Sequence, residues 1–159
     1  MTIALHCEPM TAATRDDAFR LLGAFLSDDE HYRAAAGAYG DGGPDALRRA
    51  LDLFVAQPEL GFVWLAYDHG AAVGACVVCW AISTSRGSIV AKLDDVTIGA
   101  DSQRRGVGGA MLAALSAHLV AHGATRIDTA CHRDNTGAWR FYARAGFVPL
   151  DEERLALLL

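Results

Sequence analysis

The residues best suited to chemistry in this chain lie in VTIGADSQRRGVGGAMLAALSAHLVAHG, where a strand-like run passes through a polar turn into QRRGVGG and straight on into a helical pattern. A helix begun in this way presents its first N–H groups without partners and with partial positive charge, so a pyrophosphate there accepts several hydrogen bonds together. Gly106, Gly108 and Gly109 keep Cβ atoms out of a ligand's way, and Arg104 and Arg105 add local positive charge to an acidic protein. The spacing argues against two other phosphate turns. A nucleotide-triphosphate loop needs Gly-Lys-Ser/Thr, and no lysine stands here; a dinucleotide fingerprint needs a third glycine where Met111 stands, although Asp128 lies at a fitting distance. Taken alone, the turn also reads as a flexible glycine loop with solvated arginines.

Other reactive residues have simpler explanations. Cys76 and Cys79 are three apart in a strand-like run, which turns them to opposite faces, so two core thiols fit better than a metal or redox pair. His118 and His122 share a helix face but lack the glutamate of an HExxH zinc motif. His132 as a base and Cys131 as a covalent acetyl carrier are both weaker than ordinary structural roles. Trp64, Trp80 and Trp139 read as core or pocket wall, because the charge balance speaks against a nucleic-acid platform. No metal site is implied.

The elements that must position the glycine turn follow from periodicity. TIALHC predicts an opening strand, and Thr14 is placed to cap a helix over RDDAFRLLGAF. A helical stretch in DDEHYRAAAG runs into a glycine-rich loop, Pro44 suits the first turn of DALRRALDLFVAQ, and Pro58 ends that helix. ELGFVWLAY, the turn DHG and AAVGACVVCWAI predict a hairpin, with SIVAKLDDVTI as the next strand. The long apolar-faced helix ends before Gly123; ATRIDTAC predicts a strand, NTGAWRFYARA a helix closed by Gly146, and FVPLDEERLALL a final strand. The expected fold class is α/β in the α+β sense: a central mixed, mostly antiparallel sheet flanked by helices, forming one domain over residues 1–159.

Two motifs at the right separation make the chain resemble a known family. QRRGVG matches the [QR]xxGx[GA] signature of the GNAT superfamily of N-acetyltransferases, and NTGAWRFYARAGF is similar to its NxxAxxFYxxxGF segment through Asn135, Ala138, Phe141, Tyr142, Gly146 and Phe147. STSRG followed by KLDDVTI also resembles the STxRG and LEDLxV stretch of the polyamine acetyltransferase branch. The likeness runs from about Leu60 onward, whereas earlier residues agree only in element order.

The resemblance implies an acetyl-CoA-dependent N-acetyltransferase with direct transfer in a ternary complex. The main chain of Val96, Thr97 and Ile98 would pair with the pantetheine arm like an added strand. Gln103 and the run Arg104, Arg105, Gly106, Val107, Gly108 and Gly109 would take the pyrophosphate, with Asn135 and Ala138 as further coenzyme contacts. Tyr142 matches the family tyrosine near the coenzyme sulfur and would protonate the leaving thiolate, a role open to a phenol with a pKa near 10; the plainer reading is a packed helix aromatic. Asp94 stands where LEDLxV has glutamate. In a regular strand it shares a face with Val96 and Ile98, where burial would raise its pKa toward that of a useful base or acceptor-amine ligand. A plain salt-bridged carboxylate is the alternative, and a β-bulge would change the phase and favour Asp95. The shorter aspartate side chain suggests a water relay.

Composition sets the remaining bounds. In 159 residues, 14 Lys+Arg against 19 Asp+Glu give a net charge of −5, which disfavours nucleic acid as a partner and mildly favours a small cationic amine. The sequence shows no basic and apolar leader pattern and no 18-residue apolar run, so a cytoplasmic protein without membrane partners is expected, its four cysteines reduced. The polyamine branch alone suggests a homodimer. Protein N-termini or aminoglycosides are alternative acceptors, and a non-catalytic acyl-CoA sensor is an alternative function. Acceptor choice is expected to lie around His31 to Gly43.

Overall fold

The computed structural model describes residues 3–159. Five strands form one sheet in the order β1 (His6–Pro9), β2 (Gly61–Asp68), β3 (Ala71–Ser83), β4 (Ser88–Ile98) and β5 (Ile127–Thr129). The first four are antiparallel neighbours, and β5 runs parallel to β4. The helices are α1 (Arg15–Asp28), α2 (Glu30–Ala35), α3 (Gly43–Ala56), α4 (Val107–Ala121) and α5 (Thr136–Arg144). The mixed, mostly antiparallel sheet flanked by helices is the architecture that the sequence predicts. Among the described residues no helix is long and apolar enough to cross a membrane.

The sheet buries both faces. Leu21, Leu22 and Leu51 of α1 and α3 close over Val63, Leu65 and Ala75 on one face. Met111, Leu112, Leu115 and Leu119 of α4, with Tyr142 of α5, close over Trp64, Cys76, Val78, Ala91 and Leu93 on the other. Each fully buried leucine contributes roughly 1.5–3 kcal/mol, so the two layers fix the strand register beneath them.

Three local expectations are corrected. Thr14 stands at the N-cap of α1 but makes no side-chain cap bond; Thr11 makes it instead, in a capping box around a 3₁₀ turn at Ala12–Thr14. The opening strand is His6–Pro9 rather than TIALHC, whose first residue, Thr2, lies outside the described residues. FVPLDEERLALL forms no strand: residues 147–159 have no regular structure and leave Leu155, Leu157 and Leu158 exposed. Its two apolar runs are parted by the charged residues Asp151 to Arg154, and β5, only three residues long, offers little edge to pair with.

Candidate active site

β4 positions the site by losing a neighbour partway along. Over Ala91, Lys92 and Leu93 it lies between β3 and β5; β5 ends opposite Leu93, so the rest of one β4 edge has no strand beside it. The Gly99 N–H donates to the Val73 carbonyl at 2.8 Å, so Ile98 turns its own main chain away from β3. The Ile98 carbonyl accepts a hydrogen bond from Gln103 Nε2 at 3.1 Å on that open side. By alternation Val96 also faces the gap, whereas the main chain of Thr97 faces β3. Of the three residues expected to meet a pantetheine arm, two, Val96 and Ile98, turn their backbone away from β3, the Ile98 carbonyl already accepting from Gln103.

The strand is bulged at the aspartate pair. Pairing jumps from Val77↔Asp94 to Ala75↔Thr97, and Asp95 takes φ +51°, a left-handed conformation that aspartate and asparagine adopt more readily than most residues. The bulge reverses the side-chain phase. Asp94 lies opposite Val77, which packs on the α1/α3 layer, while Val96 and Ile98 pack on the α4/α5 layer. The face shared by Asp94, Val96 and Ile98 in a regular strand is therefore absent. The Asp94 carboxylate is held by Lys92 Nζ at 3.2 Å and Arg154 Nη1 at 3.2 Å. Asp95 is half-buried, and its pKa is pushed up to about 6, chiefly by burial and then by the neighbouring Asp94 charge, with Arg154 and Lys92 opposing.

The glycine turn leads into α4 from the open end of β4. Gly106 is the N-cap at φ +82°, where any Cβ is strained. A Cβ on Gly108 would stand 3.1 Å from the Phe141 ring, so this glycine lets α5 approach α4 closely; one on Gly109 would meet nothing within 4 Å. The N–H groups of Val107, Gly108 and Gly109 open the helix, and an adjoining groove of about 360 Å³ runs between Gly106, Gly109, Phe141 and Arg144. Arg105 pairs with Asp68 at 3.5 Å, and Arg104 makes no ion pair among the described residues. Asn135 is the α5 cap, its Oδ1 accepting the Ala138 N–H at 3.0 Å.

Tyr142 sits behind that gap in the α4/α5 layer, packed against the rings of Phe141 and Phe147. Burial dominates in pushing its phenol up to about 12, the Thr129 hydroxyl acting in the opposite sense. A buried, protonated phenol beside a backbone gap, with a carboxylate titrating near 6 on the strand that borders it, can give one proton and take another.

Sequence reasoning missed part of the far side of the gap. The α2 residue Tyr32 donates its hydroxyl to Asp41 Oδ2 at 3.0 Å and stacks on Tyr39, with ring centroids 5.9 Å apart and planes at 5°. Arg33 and the Gly43 N–H also hold Asp41, whose pKa they lower together with the Tyr32 hydroxyl, the Gly43 N–H most strongly. His31 and His132 lie with rings 5.8 Å apart. The region from His31 to Gly43 had been expected to carry specificity, but Tyr32, Tyr39, Asp41 and Arg154 had not been singled out. Tyr32, Tyr39 and Asp41 meet within nine residues of one another around a glycine loop, whereas Arg154 reaches Tyr39 from far along the chain.

A search of curated protein sequences finds no match. Among solved structures, the chain is similar to a transcriptional regulator from Bacillus halodurans C-125 (19% identity, TM-score 0.77, covering 98% of this chain and 100% of that one). It is likewise similar to a ribosomal-protein-alanine N-acetyltransferase from Brucella melitensis biovar Abortus 2308 (12%, 0.74, 98% and 99%). A third is AAC(6')-Iy in complex with the bisubstrate analog CoA-S-monomethyl-acetylneamine (14%, 0.75, 98% and 99%). At these identities the likenesses show the fold. The model of the acetyltransferase (GNAT) family matches residues 24–147, a span that takes in β4, the glycine turn, Asn135 and Tyr142, and on that match the chain belongs to the acetyltransferase (GNAT) family, whose enzymes use acetyl-CoA.

Proposed function

We propose that this chain transfers the acetyl group of acetyl-CoA to a primary amine of a small cationic molecule of the polyamine or amino-acid-like kind. The observation that carries the reading is the loss of β5 beside β4 after Leu93, which leaves the Val96 and Ile98 main chain open along the stretch of β4 that runs from the Asp95 bulge to the glycine turn before α4.

In this reading the coenzyme supplies the acetyl thioester. Val96 and Ile98 hold the pantetheine arm as an added strand would be held, and the Val107, Gly108 and Gly109 N–H groups with Arg104 take the pyrophosphate. Asp95 accepts a proton from the acceptor ammonium, through a water if its short side chain requires one, and frees the nitrogen lone pair. As the C–N bond forms and the C–S bond breaks, Tyr142 would give its phenolic proton to the sulfur, coenzyme A would leave as the thiol, and the second proton lost from the nitrogen would restore the phenol. Asp94 attracts the amine rather than deprotonating it. The reading treats residues 1–159 as one cytoplasmic domain acting on a small molecule rather than on nucleic acid or a membrane, with a homodimer as its expected assembly. The carboxylates of Asp94 and Asp95 on β4, and of Asp41 beside the stacked tyrosines, suit an ammonium-bearing acceptor, with Lys92, Arg154 and Arg33 offsetting part of their charge.

The first test is thermal unfolding with and without acetyl-CoA. At ~100 times its dissociation constant a ligand adds roughly 2.7 kcal/mol, which for a chain of this size raises Tm by roughly 5–10 °C. An amine panel read by thiol release then separates an enzyme from an acyl-CoA sensor, which would bind and release nothing. No shift at millimolar coenzyme removes both. Gly109→Ala is a finer probe of the phosphate turn. Alanine fits the open space, so stability should hold or rise by about 0.5–1 kcal/mol from helix propensity, while coenzyme binding should weaken by at least about tenfold through a charged hydrogen bond lost to the new methyl. Unchanged coenzyme affinity in a titration would take the pyrophosphate off this turn.

A further inference from the structure

The segment that fails to form a strand returns across the acceptor side of the site. Glu153 pairs with Arg133 in the turn before α5. Arg154 reaches Asp94 of β4 at 3.2 Å, and its guanidinium lies 5.7 Å from the Tyr39 ring centroid. Leu158 packs onto Gly40, where a Cβ would stand 2.9 Å from its methyl. Three separate parts of the fold thus hold one irregular segment. Its grip is shallow, because Leu155 and Leu157 stay in solvent and the Arg154 side chain is 43% exposed.

Arg154 makes the two contacts that the site offers to any cation: a carboxylate and the face of an aromatic ring. Lys92 holds Asp94 Oδ2 from along the strand, and Arg154 covers the other oxygen, Oδ1. We propose that Arg154 is an internal stand-in for the second ammonium of a diamine acceptor, and that residues 151–159 form a strap which the acceptor displaces. The proposal rests on the acetyltransferase reading and names a specificity device of the same site. A partly exposed ion pair and an exposed cation–π contact are weak, so displacement costs the acceptor a modest factor, roughly three- to tenfold in affinity. The strap is a competitor met only by acceptors with two positive charges, whose affinity it lowers, since one that offers only the reacting amine leaves Arg154 in place.

The test uses the full chain. KM is measured for 1,4-diaminobutane and for glycylglycine, which carries a carboxylate in place of the second ammonium, and binding of 1,4-diaminobutane is measured by calorimetry without coenzyme. Arg154→Ala is expected to lower both KM and Kd for the diamine by roughly three- to tenfold, with Arg154→Lys close to the original protein. Leu158→Ala, which loosens the strap away from the charge, should move the diamine KM in the same direction. An unchanged or higher diamine Kd in Arg154→Ala overturns the proposal, and a higher glycylglycine KM does so too, since Arg154 would then hold an acceptor carboxylate. If the original protein shows neither a coenzyme-induced rise in Tm nor amine-dependent thiol release, the acetyltransferase reading fails, while the calorimetry still decides whether Arg154 guards a diamine site.

Discussion

Tyr142→Phe should lower kcat by on the order of 10²–10⁴, the range spanned by a single positioned proton donor, and leave the acetyl-CoA-induced rise in Tm unchanged. The ring is the packing element: it sits 5.1 Å from Phe141 and 5.3 Å from Phe147 in tilted, edge-on geometry, contacts that phenylalanine keeps. The hydroxyl is what the substitution removes. With its pKa pushed up to about 12 by burial, the phenol is protonated throughout any ordinary assay and can act only as a donor until the sulfur takes its proton. The loss should therefore appear in kcat and in single-turnover rates, with little change in coenzyme KM. Stability should fall by no more than about 1.5 kcal/mol, the worth of one hydrogen bond. Unaltered turnover would return Tyr142 to the packing role that its place in the α4/α5 layer also explains.

The sequence was most legible where one residue decides the local backbone. Gly106 at φ +82° and the Asn135 cap are chemistry of a few consecutive residues, so the turn and both helix starts stand where their motifs predict. The bulge was not legible in the same way. Asp94 and Asp95 are identical in type, and which of them takes the left-handed conformation is set by register against β3, through Val77 and Ala75, rather than by anything beside them in the chain. The missing last strand has a related cause: its two apolar runs are parted by the charged residues Asp151 to Arg154, Pro149 lacks a ladder donor, and a strand needs a partner edge that the three residues of β5 do not provide. Arg154 was invisible for the same reason, because its partners Asp94 and Tyr39 come from β4 and the loop after α2.

Asp95→Asn carries the other large effect, and it should separate activity from stability. Asparagine tolerates the left-handed φ of the bulge, so the backbone at +51° should be preserved. Activity should fall by on the order of 10²-fold or more for want of the proton acceptor. In the original protein kcat/KM should decline as pH falls through about 6, where the Asp95 carboxylate takes up its proton, and the variant should lack that limb. Stability should move the other way. Asp95 has its folded pKa raised from 3.8 to about 6, first by burial and then by Asp94, so the stability linked to its protonated form is complete below the unfolded value and is lost as pH rises through about 6. At pH 7 and above the folded protein therefore bears a charge that it disfavours, a cost on the order of 1–3 kcal/mol that a neutral amide does not incur. The variant should melt higher than the original protein at pH 8 and converge with it below pH 4. Equal melting at pH 8 would mean that the carboxylate is well solvated at the bulge, and an activity profile flat through pH 6 would leave Asp95 without a proton to accept. If both expectations hold, the bulge is a place where stability is given up to keep a base at the edge of the open strand.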